Sequence, residues 1–195
     1  MTLRRALTIA GVALVALVVG ALMYWRLPDW TSRATSRATT RASAAPSPTA
    51  PAPPGRKIKA RLFYVAEDGL RLTSVERDIA YGEGTVEQAR EIVAAQIAPV
   101  VEPLVSAVPP GTALRAVFLT EGGEAYVDLS REVMSAHPGG TQNELLTVYT
   151  IVNALTINLP AVTTVQLLVD GKEVDTLSGH VDLRQPLARN LNWVQ

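Results

Sequence analysis

The sequence predicts an α+β domain in which two helices pack on one face of a single mixed or antiparallel sheet, with elements in the order β(β)αββαββ. Three observations carry that prediction. Ile58 to Val65 alternates apolar and polar residues as a half-buried strand does. Segments opening at Thr85 and Thr141 repeat apolar residues at helical spacing. Two glycine-containing stretches, Glu121 to Glu124 and Asp170-Gly171, each separate β-rich runs, as hairpin loops do.

The first strand, IKARLFYV, places Ile58, Ala60, Leu62 and Tyr64 on one face. Leu70 to Tyr81 is a weaker extended segment. Thr85-Val-Glu-Gln88 has the form of a capping box, in which the Thr85 hydroxyl meets the amide of residue 88 and the Gln88 side chain reaches back. The helix that follows carries Val86, Ala89, Ile92, Val93 and Ile97 on one stripe. It should stop near Ala98, because Pro99 and Pro103 lack amide donors. Pro109 to Thr112 is a turn, and Ala113 to Thr120 and Ala125 to Leu129 are the arms of a hairpin. Thr141-Gln-Asn-Glu144 is a second capping box, and its helix runs to Pro160 with Leu145, Val148, Ile151, Val152 and Leu155 toward the core. Val165 to Val169 and Lys172 to Val174 flank Asp170-Gly171 as a last hairpin, and the tail GHVDLRQPLARN follows.

This domain is expected over residues 57–195, behind a membrane anchor. Residues 6–27, ALTIAGVALVALVVGALMYWRL, carry no charge before Arg26, and about 20 apolar residues span the ~30 Å hydrocarbon core. Tyr24 and Trp25 stand where aromatic rings prefer the interface. The alternative is a cleaved secretory signal, but such apolar regions run to roughly 7–15 residues and no small-x-small site follows at once. Residues 1–5 form a short N-terminus, read as cytoplasmic. Arg4 and Arg5 precede the span while Arg26, Arg33, Arg37 and Arg41 follow it, so counting arginines leaves the orientation open. Residues 28–56 are a spacer: the Ser/Thr/Arg repeat TSRATSRATTRA passes into alternating Ala and Pro, with no large apolar side chain from Thr31 to Gly55 to offset the entropy of ordering, so disorder is expected.

Charge and composition exclude several functions. Net charge is zero, but residues 1–55 carry six Arg against Asp29, and residues 56–195 carry twelve Lys and Arg against seventeen Asp and Glu. An acidic folded part argues against nucleic acid as a partner. The absence of cysteine removes disulfides, thiolate metal sites and a lipid-modified cysteine. With two histidines and no HxxxH spacing, no metal or cofactor is expected.

Asp128, Ser130 and His137 are the nearest the chain comes to a nucleophile with its acid and base. Asp128 and Ser130 share a strand face, yet Ser130 lacks the G-x-S-x-G elbow that exposes a nucleophile. The favoured reading is that both side chains end the strand by bonding nearby backbone. Glu121 and Glu124 flank a Gly-Gly turn, and a hairpin tip offers no cleft for a glycosidase pair. Glu76, Arg77 and Asp78 read as an exposed strand face or ion pair, with a binding surface as the alternative. His180 follows Gly179 and has no ligand-like spacing. No catalytic, cofactor-binding or metal residue is therefore predicted, and the chain is read as a non-enzyme.

An ordered series of stretches resembles the GerMN domain family of germination and sporulation proteins. The series is KARLFYVAEDG, LTSVERDI, IAPVVEPLVSAVPPGTALRAVFL, GEAYVDLS, ELLTVYTIVNALT and VTTVQLLVDGKEVDTLSGHVDL, over roughly residues 57–190. Many family helices end in a Gly-Pro step, where Ala98-Pro99 stands here. The resemblance implies a membrane-tethered, extracytoplasmic domain of Gram-positive-type bacteria without established enzymatic activity. Some relatives belong to the complex between the two membranes of a developing spore, and some carry two domain copies where this chain has one. It therefore favours the exported orientation, with self-association or envelope or sporulation proteins as partners of an interaction or scaffold module. The alternative is a cell-wall glycan binder. Only five Tyr and two Phe are present, and Trp193 is the sole tryptophan outside the anchor region, which disfavours a sugar-stacking platform.

Overall fold

The computed structural model describes residues 55–195. The expected N-terminus 1–5, the anchor 6–27 and all but the last two positions of the linker 28–56 lie outside the described residues. No helix among the described residues is long and apolar enough to cross a membrane.

The class is α+β, with a mixed sheet. β1 (Lys57–Val65) and β2 (Leu72–Ala80) form an antiparallel hairpin. α1 (Thr85–Ile97) leads through a proline-containing loop to β3 (Leu114–Leu119) and β4 (Glu124–Leu129), a second antiparallel hairpin. After the short α2 (Glu132–Ser135), α3 (Thr141–Asn158) crosses back to β5 (Thr164–Val169), which lies parallel to β4. β6 (Lys172–Glu173) and β7 (Leu187–Ala188) pair antiparallel with β5 at its two ends. Asp170 and Gly171 both take positive φ, 51° and 75°, as the tight Asp-Gly turn between β5 and β6 requires.

One expectation is corrected. The strands form two sheets, β1-β2 and β3-β4-β5-β6 with β7 beside β5, in place of a single sheet. The reason lies at the second edge of β1. Its outward backbone groups meet helix side chains instead of a strand. Gln96 of α1 accepts the Phe63 N–H at 2.8 Å and donates to the Phe63 carbonyl at 2.7 Å. Thr150 of α3 donates to the same carbonyl at 2.9 Å, and Asn158 bonds both the N–H and the carbonyl of Arg61 at 2.8 Å. The Val65 N–H reaches the Val105 carbonyl in the proline-containing loop. A strand whose edge is so occupied has no free ladder to offer β3.

The core forms where these layers meet. Ala60, Leu62 and Tyr64 of β1, Ile92 and Val93 of α1, and Val148, Ile151, Val152 and Leu155 of α3 are buried with Val127 and Leu167 of the larger sheet. α1 stops at Ile97, one residue before Ala98, as Pro99 demands.

Neither capping box forms. Gly84 and Gly140 occupy the N-cap positions, and no side chain caps either helix. Thr85 and Thr141 are already helical. Gln88 does reach back, but past the helix end: it accepts the Gly82 N–H and donates to the Ala80 carbonyl, fastening α1 to the end of β2.

At the tip of the β3–β4 hairpin, Gly123 (φ 82°) approaches the loop before β5. A Cβ there would lie 2.6 Å from the Ala161 carbonyl oxygen. Gly123→Ala should therefore cost more than the ~1 kcal/mol of an unfavourable φ alone. Gln96→Leu leaves the buried Phe63 N–H without a partner and should destabilise by about 2 kcal/mol. Urea unfolding midpoints of the two variants check both, with an unchanged slope expected.

Candidate functional site

The structure separates the residues that together resembled a catalytic site. Asp128 is buried, and its carboxylate accepts from Arg115 Nε at 3.1 Å and from the Gly171 N–H at 2.7 Å. It ties the β5–β6 turn to β4. Ser130 Oγ accepts the Ala113 N–H at 2.9 Å, and its hydroxyl holds the nearby Glu132 carboxyl below its ordinary range. His137 bonds elsewhere: its Nδ1 accepts the Gly139 N–H at 3.0 Å and its Nε2 lies 3.2 Å from Thr147 Oγ1. Because the Thr147 hydroxyl has carbonyl acceptors at Ala107 and Asn143, Nε2 carries the proton. Burial pushes this imidazole below its ordinary pKa, opposed by the charge of Glu144. Serine and histidine share no hydrogen bond; Ser130 stands just past β4 and bonds backbone as the strand-ending reading has it, whereas Asp128 lies within β4 and bonds Arg115 and a turn far along the chain.

The other candidates also resolve into structure. Asp78 pairs with Lys59 at 3.4 Å across the first hairpin, Arg77 Nη1 donates to Tyr64 Oη, and Glu76 is exposed. Glu121 and Glu124 flank the hairpin tip, where Glu124 N–H donates to Thr120 Oγ1. Trp193 is half-buried against the core.

Glu144 is the polar centre that sequence reasoning missed by assigning it to a cap. It is fully buried in the first turn of α3. Its Oε1 accepts the Leu177 and Ser178 N–H groups at 2.7 and 2.9 Å. Its Oε2 accepts the Ser178 hydroxyl at 2.9 Å and the His180 N–H at 2.8 Å, with His180 Nδ1 at 3.3 Å. Burial would raise its pKa, but these bonds outweigh burial and hold the carboxyl below the usual range. Serine, histidine and carboxylate meet here in the wrong order for catalysis. Both Ser178 and His180 bond the carboxylate, whereas a triad needs the imidazole between the other two. Glu144 is instead a latch for residues 177–180.

What remains exposed is a surface. On the larger sheet, Val117, Ala125, Val127, Leu129, Val165, Leu167 and Val169 face the core, and the alternate residues face away. Across that outer face Phe118 lies opposite Tyr126, and Tyr126 opposite Gln166. Phe118 is 58% exposed and Tyr126 partly so. Gln166 is buried beneath the tail, bonded to the Leu183 carbonyl. Glu124, two residues away on the same face of β4, does most to raise the Tyr126 phenol pKa, and Glu173, across β5 on β6, adds the smallest push. At the end of this face Arg115 is engaged by Asp128 and by Asp170. Nearby, a groove of about 540 Å³ has Met134, Val169, Val174 and Leu177 on its walls, with no histidine among its lining residues.

The folded-state pKa of Glu144 lies below its unfolded value of about 4.3, so its stabilisation is present above that pH and lost as pH falls through the folded value. Glu144→Gln should cost about 2 kcal/mol near neutrality, because an amide N–H then faces the His180 N–H. It should also flatten the acid limb of stability below about pH 4.5. Unfolding of both proteins across pH 2–8 measures this.

A family model described as Germane, sporulation and spore germination, matches residues 61–175, more than half of the chain. The tandem GerMN domains of the sporulation protein GerM from Bacillus subtilis superpose with a TM-score of 0.53 at 16% identity, covering 68% of this chain and 46% of that one. This chain thus spans about half the length of that tandem structure. The first GerMN domain of the same protein gives a TM-score of 0.49 at 19% identity over 68% of this chain and 98% of that one. No curated protein matches the sequence significantly. At these identities the structural likeness is one of fold, and the extended family match over β1 to the end of the β5–β6 hairpin identifies the chain as a member of the GerMN (Germane) family.

Proposed function

We propose that the chain is a non-enzymatic interaction module of the cell envelope, held by an anchor at residues 6–27 with its GerMN domain outside the cytoplasm, and serving sporulation or spore germination. The family match carries this reading. The side chains support it: those that resembled a catalytic site are committed to separate structural hydrogen bonds, while an exposed aromatic ring stands on the part of the sheet face that the tail leaves uncovered. Relatives described as sporulation proteins are consistent with the same setting.

A cell-wall glycan as ligand is the second reading, and one observation favours it: Phe118 and Tyr126 lie side by side on that face, where a sugar ring could stack. Phe118 thereby replaces the half-buried Trp193 as the ring to test.

Protease added to intact protoplasts should digest residues 57–195 and spare the N-terminus; protection of the domain refutes the exported orientation. Light scattering and crosslinking of the anchored full-length chain should show self-association or a defined envelope-protein complex. A strictly monomeric chain without such a partner sinks the module reading, and sedimentation with purified peptidoglycan that Phe118→Ala abolishes establishes the glycan reading.

A further inference from the structure

The outer face of the larger sheet carries a specific combination of groups. Phe118 is the most exposed aromatic ring among the described residues, at 58%, and Tyr126 is its direct cross-strand neighbour. Glu124 is two residues from Tyr126 on β4 and shares its face. Glu173 opposes Leu168, which lies on the same outer face beside Asp128. Glu124 thus lies beside Tyr126 and Glu173 two strands away on the same face, and neither makes an ion pair among the described residues. Of the cations at this end, Arg115 is shared between Asp128 and Asp170, Arg131 pairs with Asp170, and Lys172 stands beside Glu173 without an ion pair among the described residues. The surface therefore presents aromatic rings beside carboxylates that make no ion pair among the described residues, in a domain whose residues 56–195 are acidic overall.

Resting on the interaction-module reading, we propose that this face binds an arginine-bearing peptide segment of a partner protein, with Phe118 and Tyr126 as the platform and Glu124 and Glu173 as counter-charges. A guanidinium fits both halves of the site. Its plane stacks on an aromatic face, where the ring quadrupole attracts the cation, and its N–H fork bonds carboxylates at the rim. A lysine offers the charge without the plane. An anionic ligand would meet Glu124 and Glu173 directly.

The test uses the full-length chain in detergent micelles and a fluorescein-labelled hexa-arginine peptide, read by anisotropy at 0.15 M salt, with hexalysine alongside. Phe118→Ala should weaken arginine-peptide binding about fivefold, and the Glu124→Gln/Glu173→Gln pair by at least as much. The pair Glu67→Gln/Glu83→Gln changes net charge equally at exposed positions elsewhere and should leave binding within about twofold. Unfolding midpoints confirm that each variant folds. Equal losses in the two double variants, or hexalysine binding as tightly without dependence on Phe118, overturn the proposal, because attraction is then diffuse. Absence of arginine-peptide binding overturns it as well. If a defined envelope complex still forms in that case, the module reading stands and only the ligand chemistry falls; if none forms, both fall.

Discussion

The fold depends on carboxamide side chains that substitute for strands. Gln88, Gln96, Asn153 and Asn158 each accept from one backbone N–H and donate to a carbonyl, on Gly82 and Ala80, Phe63, Asn190 and Arg61 respectively. A primary amide carries both a donor and an acceptor, as a peptide unit does, so each can complete a strand edge that would otherwise need another strand. Gln96 and Asn158 close the second edge of β1 from two different helices. They make the first hairpin part of the helical layer's packing, and leave the larger sheet to be built by β3, β4 and β5. Remove that substitution and Phe63 buries a donor without a partner, at a cost that a domain of marginal stability feels.

This arrangement also decides how much of the fold was legible in the sequence. Apolar periodicity placed both long helices and the hairpins correctly, because burial of Ile92, Val148 or Val165 depends on spacing alone. The Asp170-Gly171 turn was legible because few residues tolerate two successive positive φ values. The capping boxes misled. Their Gln and Glu are the right residue types, but a local motif cannot compete with a long-range partner that satisfies more groups: Gln88 goes to the end of β2, and Glu144 gathers residues 177–180. The two-sheet arrangement was illegible for a related reason. A Gln on a helix reads as solvent-exposed until the strand it pairs with is known, although Gln88-Ile92-Gln96 and Thr150-Ala154-Asn158 do repeat at i, i+4, i+8 on one helix face each.

The site followed the same division. That Ser130 would serve backbone was readable from the missing elbow and from its place at a strand end, but the long-range partners of Asp128, Arg115 and Gly171, were not. The latch at Glu144 was not, because its partners lie more than thirty residues away. Nor was the prominence of Phe118, since alternation alone does not say which face of a strand stays open. The two sheets differ in how they present themselves. The outward edge of β2 carries Ser74, Glu76 and Asp78, charge that discourages another strand from adding there. The larger sheet instead exposes a ring on its face.

The last residues complete the first hairpin: Leu72 N–H donates to the Trp193 carbonyl and Gln195 N–H to the Leu72 carbonyl. Lys57, where the domain begins, pairs with Ala80 at the opposite end of that hairpin. Entry and exit thus sit on one two-stranded ribbon, separated by eight strand steps of ~3.3 Å, roughly 26 Å. Tension applied between them runs along the strands, across ladder bonds that lie perpendicular to it. The rungs and the Gln96 and Asn158 bridges lie across that direction, so such a load would meet them in shear rather than open them one at a time.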